Sequence, residues 1–142
     1  MRRIRPFLLF LLLLAALALG CHDHHGHAYW YWGWDGYIDV DNDDNDFSFE
    51  AEDLWWEDWT FEYPWDCDHP VADVRFTSEH DFEGEVRIRI YDDEDYLVFD
   101  ERFEEESIDV LLPTAPGDPG YWWIEIRLYD VCGSFDIRVR AY

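Results

Sequence analysis

From Val71 onward the chain alternates apolar and polar residues with a period of two. In "EVRIRIY" the residues Val86, Ile88 and Ile90 fall on one side of an extended backbone, and Glu85, Arg87 and Arg89 on the other. "FDIRVRAY" repeats the pattern, with Phe135, Ile137, Val139 and Ala141 against Asp136, Arg138 and Arg140. "YWWIEIRLY" gathers Trp122, Ile124, Ile126 and Leu128 on one face. A period of two marks strands with one buried side. Residues 130–133 read as a turn that makes the last two strands a hairpin. Further strands are predicted at 72–78, 96–103 and 107–112, with an earlier one around 59–63. Acidic or Pro/Gly-rich breaks at 81–84, 92–95, 104–106 and 113–120 separate them. That spacing suits an antiparallel sandwich, and no segment here carries helical periodicity.

"PGDPGYWWIEI" resembles the entry to the penultimate strand of immunoglobulin-like and fibronectin-type domains, where a Pro-Gly turn leads into an aromatic and then alternating apolar residues. Trp122 takes the aromatic position, and Ile124 stands where such domains usually carry a cysteine. The resemblance implies an all-β, antiparallel Ig-like β-sandwich of about seven strands over residues 59–142. It implies architecture and no activity.

The amino-terminal end has a different character. Arg2, Arg3 and Arg5 precede the apolar run 7–19, the layout of a secretory signal. As a helix that run rises only about 20 Å, short of a bilayer core of roughly 30 Å. "ALGC", ending at Cys21, resembles the lipobox of bacterial lipoproteins. That resemblance implies cleavage before Cys21, lipidation of Cys21 and membrane attachment through the lipid anchor. His22, following the cysteine where Asp would favour inner-membrane retention, implies the outer membrane. The organisation expected is a signal peptide at 1–20, a flexible tether and acidic linker at 21–58, and the sandwich at 59–142. With Cys21 acylated, Cys67 and Cys132 remain as a candidate disulfide in an oxidising compartment, two free thiols being the alternative.

Charge narrows the partners. The chain has no Lys, and residues 21–142 carry 34 acids against seven Arg, a formal charge of −27. Such a surface repels nucleic acid, whose binding needs clustered Lys and Arg, and attracts cations or basic partners. The Arg residues that alternate with core positions (Arg87, Arg89, Arg127, Arg138, Arg140) read as an outward ladder paired with acids, or as a basic face for carboxylates or sulfated sugars.

Three features carry candidate chemistry. His22, His24, His25 and His27 offer closely spaced imidazoles to Zn²⁺, Cu²⁺ or Ni²⁺, or form a polar tether. Asp39, Asp41, Asp43, Asn45 and Glu50 have the spacing of a loop resembling the calcium loop of EF-hand proteins, with Asp44 where Gly makes the turn. The alternative is a solvated linker. "YWYWGWDGY", with Trp30, Trp32 and Trp34, and "LWWEDWTFEYPW" hold seven of the nine Trp. They suit stacking on sugar rings, a bilayer interface, or cover for a small core. No nucleotide-type Gly loop, helical zinc-protease motif or nucleophile elbow is present. The chain therefore reads as a non-catalytic binding or structural module without an obligate cofactor, in contact with an envelope protein or glycan. The alternatives are a Ca²⁺- or Zn²⁺-binding accessory lipoprotein and a carbohydrate-binding module.

Overall fold

The computed structural model describes residues 36–142. They form eight strands: β1 (Tyr37–Asp43), β2 (Asp46–Glu57), β3 (Thr60–Cys67), β4 (Ala72–Ser78), β5 (Glu83–Tyr91), β6 (Leu97–Phe103), β7 (Asp109–Pro113) and β8 (Gly120–Ala141). Every pairing is antiparallel. The fold is an all-β sandwich, as the alternation predicts. One sheet runs β1-β2-β8-β4-β7, and the other runs β3-β8-β5-β6.

β8 belongs to both sheets. Its 22 residues far exceed the usual length of a strand, so it must bend to stay within a small sandwich. Residues 120–128 lie between β3 and β5, and residues 135–141 lie between β2 and β4. At the corner Asp130 and Gly133 adopt left-handed backbone, with φ of 48° and 90°. A Cβ at Gly133 would come 2.2 Å from the Asp81 carbonyl oxygen, so the close approach here requires glycine. The hairpin expected at 130–133 is thus replaced by a strand that changes sheets, a device common at sandwich corners.

The two inner faces meet in one aromatic core. Phe47 and Phe49 of the first sheet meet Tyr63 and Phe61 of the second at 5.4 and 5.2 Å between ring centroids, and Phe76 stacks on Phe103 at 4.3 Å. Trp65 and Trp122 are fully buried and pack edge to face. Their indole N–H groups donate to the Asp43 and Asp118 carbonyl oxygens, so neither ring strands a polar group. Each fully buried large apolar side chain contributes roughly 1.5–3 kcal/mol.

The strands extend further toward the amino terminus than expected. Residues 37–57, read above as linker, form β1 and β2, because Ile38, Val40, Phe47 and Phe49 alternate and are buried while the acids between them face water. β1 ends in a two-residue turn, and Asn45 there takes a left-handed φ of 62°.

The expected disulfide is also corrected. Cys67 ends β3 opposite Gly120, whereas Cys132 stands twelve positions further along β8, at the corner, opposite Glu83. Both thiols are free. Cys67 is buried and its thiol donates to the His69 carbonyl oxygen at 3.2 Å.

Candidate functional site

The outer face of the second sheet carries a strip of aromatics across its middle strands. Trp123 of β8 sits directly opposite Pro64 of β3 on one side and Tyr91 of β5 on the other. Tyr121, two residues earlier on β8, points the same way and is 64% exposed, and Trp123 is 40% exposed. The strip has this position because β8 alternates strictly, sending Trp122, Ile124, Ile126 and Leu128 into the core.

Two aspartates of the 92–95 turn fix the approach to the strip. Buried Asp92 accepts backbone N–H bonds from Glu94, Tyr96 and Asp118 at 2.8–3.1 Å. Burial pushes its carboxyl up, and the three N–H donors outweigh this and hold it below the usual carboxylate range. Asp93 accepts from the Tyr121 N–H at 2.9 Å. Together they clamp the Pro/Gly segment that leads into β8.

Beside the strip the sheet is charged and internally paired. In the next row, Glu62, Glu125, Arg89 and Asp100 lie across the four strands. Arg89 is salt-bridged to Glu125, and Arg87 makes a two-pronged contact with Asp100 at 2.7 Å for each bond. The Arg87 contact holds the Asp100 carboxyl below its ordinary range. The outward Arg ladder is present, with Arg138 and Arg140 sharing Asp46 on the other sheet.

A second aromatic group stands at one end of the sandwich. Trp55, Trp56 and Trp59, around the connection between β2 and β3, are 66%, 52% and 56% exposed. The Trp59 indole donates to Glu57, and its carbonyl accepts the Leu128 N–H. Arg127 bonds Asp58 and Thr60, and its guanidinium lies 5.0 Å from the centre of the Tyr129 ring.

The calcium-loop residues are not gathered. Asp39, Asp41 and Asp43 follow one another along the outer face of β1, so Asp39 and Asp43 are about 13 Å apart along the strand. Glu50 lies directly opposite Asp39. The Asn45 side-chain oxygen accepts the Asp68 N–H at 2.8 Å. A hairpin spreads these oxygens over two strands and a turn, and they cannot surround one ion as a calcium loop does. Glu50 instead faces Asp136 across the β2–β8 ladder. Burial first, then the charges of Glu52, Asp136 and Asp39, raise the Glu50 carboxyl above its usual range, and burial raises that of Asp136. Elsewhere the exposed turn residues Glu79, His80 and Asp81 bring three potential ligand atoms within 4.8 Å of one another.

Cys21, His22, His24, His25, His27, Trp30, Trp32 and Trp34 lie outside the described residues. Sequence reading missed the strip at Trp123 and Tyr121. The signal was available in "GYWWIEI", where the residues alternating with the core are themselves aromatic.

No family model matches the sequence, and no curated protein matches it. Among solved structures, the pro-11S globulin of pumpkin is similar over 80% of this chain, at 14% identity and a TM-score of 0.43. The chain spans only 28% of that globulin's length. The carbohydrate-binding module CBM4 is similar over 78% of this chain and 81% of its own, at 11% identity and a TM-score of 0.34. TmCBM61, solved with β-1,4-galactotriose, is similar over 73% of this chain and 66% of its own, at 15% identity and a TM-score of 0.33. Likenesses at this level say nothing of ligand or activity.

Proposed function

We propose that the chain is a non-catalytic binding module, held at the cell envelope by acyl chains on Cys21, that contacts an uncharged glycan through the aromatic strip on its second sheet. The observation that carries this reading is the row of Pro64, Trp123 and Tyr91 beside exposed Tyr121, a largely aromatic surface bordered by charged side chains. Sugar rings present C–H faces that pack on aromatic rings, while their hydroxyls seek donors and acceptors at the rim. Glu125 and Arg89 lie in the adjacent row and offer both.

The pairing of those charges favours binding over catalysis. A catalytic acid beside the strip needs a carboxyl tuned toward neutral pH, and Asp100, bonded to Arg87, is shifted the other way, while the raised carboxyls of Glu50 and Asp136 lie on the other sheet. The glycan is uncharged because the chain's 34 acids, set against only ten Arg, repel polyanions. The expected anchor and envelope location belong to the same reading and rest on the lipobox-like residues before Cys21.

Titration of the mature chain with a panel of neutral and acidic oligosaccharides, followed by tryptophan fluorescence, tests the proposal. A saturable change with a neutral glycan that Trp123→Ala abolishes is expected. A flat response across the panel overturns it.

A further inference from the structure

The end of the sandwich that carries Trp55, Trp56 and Trp59 has no part in the glycan strip, yet it is built at a cost. Trp56 is held in the left-handed region, φ 56°, where a bulky side chain is disfavoured. Core burial does not explain the conformation, because the indole is more than half exposed. Strain of this kind persists where a display is needed.

The chain also enters the sandwich here. Tyr37, the first residue of β1, lies opposite Glu52. A Cβ at Gly36 would come 3.0 Å from Leu54 Cδ2 and 3.2 Å from the Asp53 carbonyl oxygen. The sixteen residues from Cys21 to Gly36 reach at most about 54 Å. An acyl anchor at Cys21 therefore keeps the domain within that distance of the bilayer, and the three indoles stand beside the point where the chain enters the sandwich.

We infer that Trp55, Trp56 and Trp59 seat on a lipid surface with zwitterionic headgroups, orienting the sandwich so that the Trp123 strip stands clear of the membrane. This rests on the anchor proposed at Cys21 for its attachment, while the indoles set orientation. Indole prefers the bilayer interface because its ring is apolar and its N–H still needs an acceptor. The neighbouring acids Glu52, Asp53, Glu57 and Asp58 repel anionic lipid, whereas a quaternary ammonium packs over an indole face and beside a carboxylate.

The test uses the chain purified from membranes and reconstituted into phosphatidylcholine vesicles brominated high on the acyl chains. Changing Trp30, Trp32 and Trp34 to Phe leaves six of the nine indoles. Emission in that background is expected to fall by roughly a third on bromination. The further change of Trp55, Trp56 and Trp59 to Ser should remove that loss, and adding phosphatidylglycerol should diminish it. Mass spectrometry of the same preparation reads the anchor separately. An acylated chain that shows no quenching overturns the seating and leaves the anchor standing. An unacylated chain that is quenched when mixed with the vesicles overturns the anchor and supports the indole contact. Loss of oligosaccharide binding in the Trp55, Trp56 and Trp59 variant, with quenching unchanged, would assign this end to glycan and also overturn the inference.

Discussion

Leu54 lies opposite Gly133 in the ladder between β2 and β8, three residues after Ala51 has paired with Phe135. Glu57 then pairs with Val131, another three residues of β2 against two of β8. Two bulges thus follow in tandem, each with a left-handed residue, Asp53 and then Trp56. The Asp53 N–H is satisfied by the Ser134 hydroxyl at 3.1 Å. Each bulge turns two successive side chains outward, which is how Trp55 and Trp56 are both exposed.

Because glycine takes left-handed backbone without a Cβ penalty, Trp56→Gly should be more stable than Trp56→Ala by about 1 kcal/mol, although both lose the indole. Urea unfolding of the two variants checks this. Both variants should also lose part of the quenching by brominated vesicles.

Glu50 and Asp136 face each other as like charges, and the fold raises the pKa of both. Acids with raised folded-state pKa values make stability fall as pH climbs from the unfolded carboxylate range through the folded values. Glu50→Gln should therefore stabilise the protein at neutral pH by no more than about 0.5 kcal/mol, since Glu50 is exposed and water screens it. The gain should shrink in high salt and vanish below the unfolded carboxylate range. Thermal melts at several pH values and salt concentrations measure it.

Asp92 should behave with the opposite sign. Its pKa is lowered in the fold, so its contribution is complete above the unfolded carboxylate range and is lost as pH falls through the folded value. Asp92→Asn should cost about 1–3 kcal/mol at neutral pH, because three N–H groups lose a charged acceptor. Chemical denaturation at neutral and acid pH should show the penalty narrowing in acid.

The two thiols give a direct check on the strand register. Burial pushes the Cys67 thiol pKa up, and Cys132 is only half-buried. Alkylation of the folded chain should label Cys132 first and Cys67 only after unfolding. Prior reduction should not change the labelled mass, and a gain of label after reduction would mean that the cysteines are bridged.

Much of the sandwich was legible because its core positions alternate without interruption. Val86, Ile88 and Ile90, and likewise Trp122 through Leu128, were readable as one buried face, and the strand at Ala72–Ser78 lies where the pattern placed it. The first hairpin was hidden because Asp39, Asp41 and Asp43 satisfy two readings at once. A spacing of two serves alternate ligands in a calcium loop and also the outer face of a strand, and only the burial of Ile38 and Val40 separates them. "AEDLWWE" was illegible for another reason. Its positions paired with β8, Ala51, Leu54 and Glu57, are spaced by three, a period that arises from bulges and belongs to neither regular strand nor helix, and only Ala51 and Leu54 are buried. The hairpin expected at residues 130–133 failed because a bend within one strand and a turn between two use the same residue types.

The central claim is that Trp123 and its neighbours form the surface that meets glycan. The most direct measurement is two-dimensional NMR of the indole N–H groups during titration with the neutral oligosaccharide that gives the largest fluorescence change. The Trp123 resonance should move and saturate, those of buried Trp65 and Trp122 should move little, and Trp123→Ala should abolish binding while the fold is retained. Saturable binding that leaves the Trp123 resonance in place, or that survives Trp123→Ala, would contradict it.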